Sequence, residues 1–109
     1  MQSKYRNKKV TVGAETFDSR REYERYRELV LLMRAGKIHD LHRQVKFELI
    51  PAQKEGNKVV ERAVYYIADF VYWIGDEMIV EDAKGYRTDT YKLKKKLLLY
   101  RRGIKIQEV

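Results

Sequence analysis

Residues 62–84 constrain the fold more than any other segment. They contain a β-branched and aromatic run, RAVYYIADFVYWI, and a second run, EMIVEDAK, separated only by Gly75-Asp76. Two such runs joined by a Gly-Asp pair predict a β-hairpin with a two-residue turn. In this register Ile74 pairs with Glu77, and counting back along both strands places Asp69 directly opposite Asp82.

This predicted register brings two carboxylates together. Because side chains alternate between the faces of a strand, one face should carry Asp69, Asp82, Lys84, Ile67, Val71, Met78 and Val80. Like charges directly opposed on neighbouring strands are destabilising, and buried carboxylates need compensation. A divalent cation would provide it, since Mg²⁺ is typically held by one or two carboxylates, waters and phosphate oxygens. The hairpin therefore predicts a metal site at Asp69 and Asp82.

Two alternatives remain open for this hairpin. In the first, Asp69 lies at a strand end in solvent, and Asp82 and Lys84 form an ordinary surface pair. In the second, the turn is longer than two residues and the register slips by one residue, which moves one strand's side chains to the other face. Glu81 would then be the carboxylate on the side of Asp69.

The rest of the chain predicts an α/β fold with a mixed central sheet in the order αβββαβ, preceded by a small N-terminal β-hairpin. Ser19 and Glu22 have the spacing of a capping box at the start of the first helix. Gly36 and Gly103 are suited to end the two helices. The last strand should run parallel to the 77–84 strand. The predicted elements are a hairpin about Gly13-Ala14, a helix over 19–35, a strand over 43–50, a polar turn over 53–58, strands over 62–74 and 77–84, a helix from Thr88–Thr90 to Gly103 and a strand over 104–109.

Charge is distributed unevenly along the 109 residues, which are expected to form one domain over 10–109 behind a basic arm over 1–9. The net charge of +8 comes from the two ends, because residues 1–10 hold four basic and no acidic side chains and residues 84–109 hold nine basic and two acidic side chains. Basic ends indicate an anionic partner, most simply nucleic acid. The absence of Cys excludes disulfides and thiolate chemistry, and no apolar run is long enough to span a membrane. A cytoplasmic protein without a small-molecule cofactor is expected.

Other side chains have both a structural and a functional interpretation. Glu22 either caps the first helix or extends the metal site, and Gln44 either lines the site or is ordinary strand polarity. His39 and His42 have a spacing that can bind metal, but no third ligand is near in sequence. Leu93, Leu97 and Tyr100 are predicted to form the buried face of the second helix. The cations around that helix are then a solvated face or phosphate contacts, and the latter interpretation covers Lys92, Lys94, Lys95, Lys96, Arg101, Arg102 and Arg87. Lys8 and Lys9 of the basic arm are expected to contact phosphates in the same way.

Asp69, followed after the hairpin by Asp82-Ala83-Lys84, resembles the signature of the PD-(D/E)XK nuclease superfamily, although Ala68 stands where that signature has Pro. The element order resembles the restriction-endonuclease-like core of that superfamily. The segments KYRNKKVTV, FDSRREYERY, YIADFVY, VEDAKGYRTDTYKLKKKL and GIKIQEV look like a small phage-encoded family of it, long described as a domain of unknown function. Ser19 and Glu22 also resemble the helix motif of transposon-end and Holliday-junction nucleases.

The resemblance implies a Mg²⁺- or Mn²⁺-dependent DNA endonuclease. Asp69 and Asp82 would hold the metal, with the Ala83 carbonyl and Glu22 as further ligands, and Lys84 would assist the attacking water. Tyr86 and Tyr91 lie next to the site in sequence. So short a chain has little surface for recognising a DNA sequence, so a homodimer acting on branched DNA is expected. The compartment would be the cytoplasm of a bacterial host. The alternative is a non-catalytic nucleic-acid-binding protein that keeps the fold.

Overall fold

The structure is a computed structural model that describes residues 8–83 and 87–109. These residues form two helices and eight strands. In chain order they are β1 (Val10–Val12), β2 (Glu15–Phe17), α1 (Arg20–Arg34), β3 (His39–Ile50), β4 (Gln53–Glu55), β5 (Lys58–Glu61), β6 (Val64–Ile74), β7 (Glu77–Asp82), α2 (Asp89–Arg102) and β8 (Gln107–Glu108).

The central sheet has four strands in the order β3-β6-β7-β8. β3, β6 and β7 are antiparallel neighbours, whereas β8 is parallel to β7. This arrangement confirms the predicted mixed sheet, the parallel last strand and the small N-terminal hairpin β1–β2. The predicted register of the β6–β7 hairpin is also confirmed, since Ile74 pairs with Glu77 and Phe70 pairs with Glu81.

The two helices cover opposite faces of the sheet. Leu29 of α1 belongs to a buried cluster that contains Phe70 and Tyr72 of β6. Leu98 of α2 belongs to a second cluster that contains Val71 of β6. Because Val71 lies between Phe70 and Tyr72 in the strand, it points to the opposite face. The fold is therefore a sheet between two helices, with one core on each side.

Local sequence signals set the helix boundaries as expected. The Ser19 hydroxyl accepts a hydrogen bond from the Glu22 N–H at 3.1 Å, and the Thr88 hydroxyl accepts one from the Tyr91 N–H at 3.0 Å. Both contacts satisfy backbone donors that a helix start leaves unpaired. Gly103 ends α2 with φ of +66°, a left-handed conformation that suits glycine.

The strands before β6 differ from the prediction. β3 begins at His39, four residues earlier than the predicted strand over 43–50. The segment predicted as a polar turn over 53–58, together with residues 59–61, instead forms the hairpin β4–β5. All residues of β4 and β5 are exposed, so no alternation of buried and exposed residues marked them as strands.

The predicted buried face of α2 is wrong. Leu93 and Tyr100 are 59% and 85% exposed, and of the predicted stripe only Leu97 packs against the core. Tyr91 and Leu98 are the buried residues of this helix. These two residues are seven apart and so lie on one side of a helix, but the sequence alone does not distinguish their side from that of Leu93, Leu97 and Tyr100.

Candidate functional site

Four acidic side chains of the described residues are buried, each at most 2% exposed: Glu22, Asp69, Glu81 and Asp82. Charged side chains are rarely fully buried unless they have partners. Their contacts divide them into a group around Asp69, which includes Glu22 and the end of β7, and a separate ion pair at Glu81.

Glu22 and Asp69 are neighbours joined by the side chain of Gln44. Glu22 lies in the first turn of α1, and its Oε1 accepts a hydrogen bond from the Arg43 guanidinium at 3.1 Å. The Gln44 amide donates to Glu22 Oε1 and to Asp69 Oδ1, both at 3.5 Å. The other Asp69 oxygen accepts the Ala83 N–H at 2.7 Å. Asp69 is thus in contact with a residue from β3 and with the residue that follows β7.

The surroundings of Glu22 change its protonation. Burial, the charge of Asp69 and a hydrogen bond to Asp69 raise the pKa of the Glu22 carboxyl to about 7, against the opposing contact with Arg43. Two neighbouring carboxylates that are both buried cannot both ionise cheaply. Near neutral pH this pair therefore gains or loses a proton, unless a cation compensates the second negative charge.

The backbone of Gln44 is unusual for a strand residue. Its φ is +53°, in the left-handed region that non-glycine residues rarely occupy. The alternation of faces is interrupted here, since Arg43 lies 3.8 Å from the centre of the Phe17 ring on the α1 side, whereas Val45 packs with the α2-side core. Strained backbone of this kind is concentrated at functional sites.

The prediction of a strictly alternating face on β6 is wrong at this point. Ala68 and Val71 are three residues apart, yet both belong to the α2-side core, while Phe70 belongs to the α1-side core. Ile67, predicted to lie beside the two carboxylates, is 44% exposed. The first alternative, that Asp69 is a solvated strand end, is also wrong because Asp69 is 1% exposed.

Asp82 is the last residue of β7 and is held by Tyr66. The Tyr66 hydroxyl donates to Asp82 Oδ2 at 2.8 Å. Burial, Asp82 and Asp69 all raise the pKa of this phenol, so both carboxylates act on one hydroxyl group. The Tyr66 ring lies 6.2 Å from that of Tyr91, at the start of α2. The tyrosine pair thus connects Asp82 to the second helix.

Glu81 belongs to a separate, structural ion pair. Its two oxygens accept hydrogen bonds from Arg25 Nε at 2.8 Å and Nη2 at 2.7 Å. The Tyr72 hydroxyl donates to the same carboxylate. Since Arg25 follows Glu22 by one helical turn, this pair fixes the first half of α1 to β7. The alternative register, which would put Glu81 beside Asp69, is therefore wrong.

The predicted phosphate-binding cations are not equally available. Six of them are exposed: Lys8, Lys9, Lys92, Lys96, Arg101 and Arg102. Arg87 and Lys95 instead pair with Glu108, at 2.8 and 3.3 Å, and Lys94 is half-buried. The sequence shows only two acids near these cations, but β8 places one of them, Glu108, beside the start of α2. For Arg87 and Lys95, the interpretation as free phosphate contacts needs correction.

Some of the predicted site residues lie elsewhere. Lys84 and Tyr86 lie outside the residues that the structure describes. The Tyr91 side chain is buried and its hydroxyl donates to Glu108 at 2.8 Å. His39 contacts Asp40 at 2.7 Å and the Gly75 carbonyl at 2.9 Å. Within residues 8–83 and 87–109, no three His, Cys, Asp or Glu side chains are arranged as a metal-binding group.

Sequence reasoning missed two residues of the site, Arg43 and Tyr66. Arg43 contacts Glu22, the Thr16 carbonyl and the Phe17 ring, so it ties β3 to both α1 and the N-terminal hairpin. Arg43 lies beside Gln44 among the polar residues at the start of the predicted strand, and nothing in the sequence marks it as a residue of the site. Tyr66 precedes Asp69 by three residues, a spacing that strict alternation assigns to opposite faces.

The fold and this cluster define a mixed α/β protein with buried carboxylates beside the end of β7. A family model described as "Protein of unknown function (DUF1064)" matches residues 2–108, so the chain belongs to that family. No curated protein and no solved structure matches the chain. Neither helix in the described part of the chain is long and apolar enough to cross a membrane.

Proposed function

We propose that this protein is a metal-dependent DNA endonuclease of the PD-(D/E)XK superfamily, with the restriction-endonuclease-like αβββαβ core of that class. The observation that carries the proposal is the position of Asp69. This buried carboxylate contacts Glu22 through Gln44, and its second oxygen accepts the N–H of Ala83, directly after Asp82. Glu22 of α1 and Asp69 of β6 are thereby brought beside the residue that follows Asp82 at the end of β7.

The chemistry of the donors, rather than a three-ligand arrangement within the described residues, supports a hard divalent cation. Glu22, Asp69 and Asp82 are all buried, and the raised pKa of Glu22 reflects a negative charge that its surroundings compensate poorly. Carboxylate oxygens are the ligands that Mg²⁺ and Mn²⁺ prefer. Asp69 and Asp82 would hold the ion, with Glu22 and the Ala83 carbonyl as further ligands. A bound ion of this kind lowers the pKa of water and stabilises charge on a phosphoryl group.

The chain's own residues position these groups. Tyr66 fixes Asp82, Gln44 spans Glu22 and Asp69, and Arg43 donates to the same Glu22 oxygen as Gln44. Lys84, assigned by its place in the motif, would orient the attacking water. In the hydrolysis, oxygen from water bonds to phosphorus and the bond to the leaving sugar oxygen breaks. The products are a phosphomonoester and a hydroxyl end.

The exposed cations of α2 support DNA as the substrate. Lys92, Lys96 and Arg101 are exposed on a helix whose first turn contacts Tyr66, the partner of Asp82. Contacts from Lys and Arg to phosphate oxygens position a protein on DNA without reading sequence. We therefore expect the protein to read little DNA sequence. The finer proposal is that it selects branched DNA, such as a four-way junction. It would cut this DNA as a homodimer in the bacterial cytoplasm.

Cleavage assays test this proposal. Labelled linear, nicked and four-way-junction DNA are incubated with the protein and Mg²⁺, Mn²⁺ or EDTA. We expect cleavage only with metal, and its loss in Asp82→Asn with DNA binding retained. The matched control, Asp76→Asn, changes an exposed aspartate in the turn of the same hairpin and should cut normally.

Binding without cleavage on every substrate would instead favour a non-catalytic nucleic-acid-binding protein. The same basic surface supports that second candidate, which does not need Asp69 or Asp82. Light scattering of the protein alone and on junction DNA measures the assembly, because a dimer has twice the 13.1 kDa mass of the chain. A monomer on every DNA would contradict the homodimer.

A further inference from the structure

A groove borders α2 on the side of the sheet edge. It lies between α2 and the segment that leads into β8, and it has a volume of about 270 Å³. Seven residues line it: Lys92, Lys95, Lys96, Leu99, Ile104, Lys105 and Ile106. The lining therefore consists of three aliphatic and four cationic side chains, with no acidic side chain among them.

The helix arranges these side chains into a wall with an apolar base. Lys92 and Lys96 are one turn apart, and Leu99 follows three residues later, so the three lie along one side of α2. Leu99 is 52% exposed, so its apolar surface is available to a ligand. The opposite wall brings Ile104 and Lys105. The combination suits a ligand that is apolar on its faces and anionic along its length.

We propose that this groove binds an unpaired nucleotide of the DNA substrate. The base would lie on Leu99 and Ile104, and the flanking phosphates would contact Lys92, Lys96 and Lys105. This inference rests on the proposed function, and it specifies which part of a branched substrate the protein holds. In duplex DNA the flat faces of the bases are stacked inside the helix, and only the backbone and the base edges in the grooves are exposed. An unpaired base exposes its flat faces to apolar and aromatic side chains.

The groove is connected to the candidate metal site through Glu108. This residue pairs with Lys95 in the groove wall and accepts the Tyr91 hydroxyl, while its backbone is paired with Asp82. A strand held in the groove would therefore contact a wall that Glu108 joins to the end of β7. This continuity favours a nucleic acid over an acidic, leucine-containing protein segment, which the charges alone would also attract.

Fluorescence anisotropy in EDTA tests the groove without any cleavage. Wild-type protein is titrated with short oligothymidylate and with duplex DNA. Leu99→Ala should weaken oligothymidylate binding about fivefold and leave duplex binding unchanged. Leu93→Ala is the matched control, because Leu93 is similarly exposed on the same helix but does not line the groove. Lys105→Gln should reduce the salt slope of oligothymidylate binding by about 0.7.

Three outcomes would overturn the proposal. They are equal effects of Leu99→Ala on single strands and duplexes, the same effect from Leu93→Ala, and a Leu99-dependent affinity for an acidic leucine-containing peptide that exceeds the affinity for oligothymidylate. If the protein cuts DNA but Leu99→Ala does not weaken oligothymidylate binding, only the proposal of a nucleotide-binding groove is overturned. Leu99-dependent single-strand binding by a protein that never cuts DNA overturns only the nuclease.

Discussion

Replacing Glu22 with Gln should stabilise the protein at alkaline pH and leave its stability at acidic pH almost unchanged. The Glu22 carboxyl is buried beside Asp69, and its pKa is raised from the usual 4.5 to about 7. Ionised Glu22 is therefore disfavoured in the folded state relative to the unfolded chain. Gln is neutral at every pH, and its amide can donate to Asp69 as the protonated carboxyl does.

The magnitude follows from the pKa shift. One pKa unit corresponds to about 1.4 kcal/mol, so ionised Glu22 costs the folded state up to about 3 kcal/mol. Because the folded pKa is the higher one, the stability of the wild type is greatest below about pH 4.5, falls as pH rises, and levels off above about pH 7. The ion pair with Arg43 also stabilises the ionised Glu22 carboxylate, and the Glu22→Gln variant would lose part of that contact. We therefore expect a net gain of about 1–2 kcal/mol near pH 8.

Urea unfolding in EDTA near pH 4, below the ordinary pKa of 4.5, and near pH 8 measures this difference. Glu24→Gln is the matched control, because Glu24 is exposed on the same helix and its ion pair with Arg20 is worth little. The reasoning is refuted if Glu22→Gln is no more stable than the wild type near pH 8, or if its advantage is the same at both pH values. Added Mg²⁺ should stabilise the wild type more than the variant, because the variant lacks one carboxylate ligand.

Three further sets of variants test other parts of the structure by urea unfolding. Glu81→Leu should lower the free energy of unfolding by about 3 kcal/mol, because it leaves Arg25 without its buried partner. The double variant Arg25→Met/Glu81→Leu should recover most of that loss. A double variant no more stable than Glu81→Leu would contradict this. Gln44→Gly should be at least about 1 kcal/mol more stable than Gln44→Val, since only glycine adopts φ of +53° without strain. Equal stability of the two variants would show that the backbone at residue 44 leaves this conformation when valine is present. Tyr66→Phe should cost about 1–3 kcal/mol by removing the hydroxyl that donates to buried Asp82, and a change below about 0.5 kcal/mol would mean that other contacts replace it.

The parts of the fold that the sequence predicts are those with local causes. Gly75-Asp76 fixes the β6–β7 register because a two-residue turn leaves the strands no other pairing. Ser19 and Thr88 start the helices because their hydroxyls accept backbone N–H groups one turn on. The approach of Asp69 to the end of β7 follows from that register alone.

The parts that sequence reasoning does not predict depend on contacts between distant segments. The choice of Leu98 rather than Tyr100 for the buried side of α2 depends on how the helix meets the sheet. The left-handed turn of the backbone at Gln44 has no propensity signal, since glutamine has no special tolerance of that conformation. The pairing of Lys95 with Glu108 requires β8 to lie beside β7, across a whole helix of intervening chain.

Because Glu81 and Asp82 are adjacent in β7 but have different partners, they limit which sequence changes the β6–β7 hairpin tolerates. Only the pleat of β7 separates the carboxylate that anchors α1 from the one held by Tyr66. The exposed tip at Gly75-Asp76 is the kind of loop where natural variants usually gain or lose residues. Here an insertion that shifted the β6–β7 register by one residue, rather than lengthening the turn, would exchange the two carboxylates and present Asp82 to Arg25 and Glu81 to Tyr66. We therefore expect substitutions to be tolerated at this tip and length changes that shift the register to be eliminated by selection.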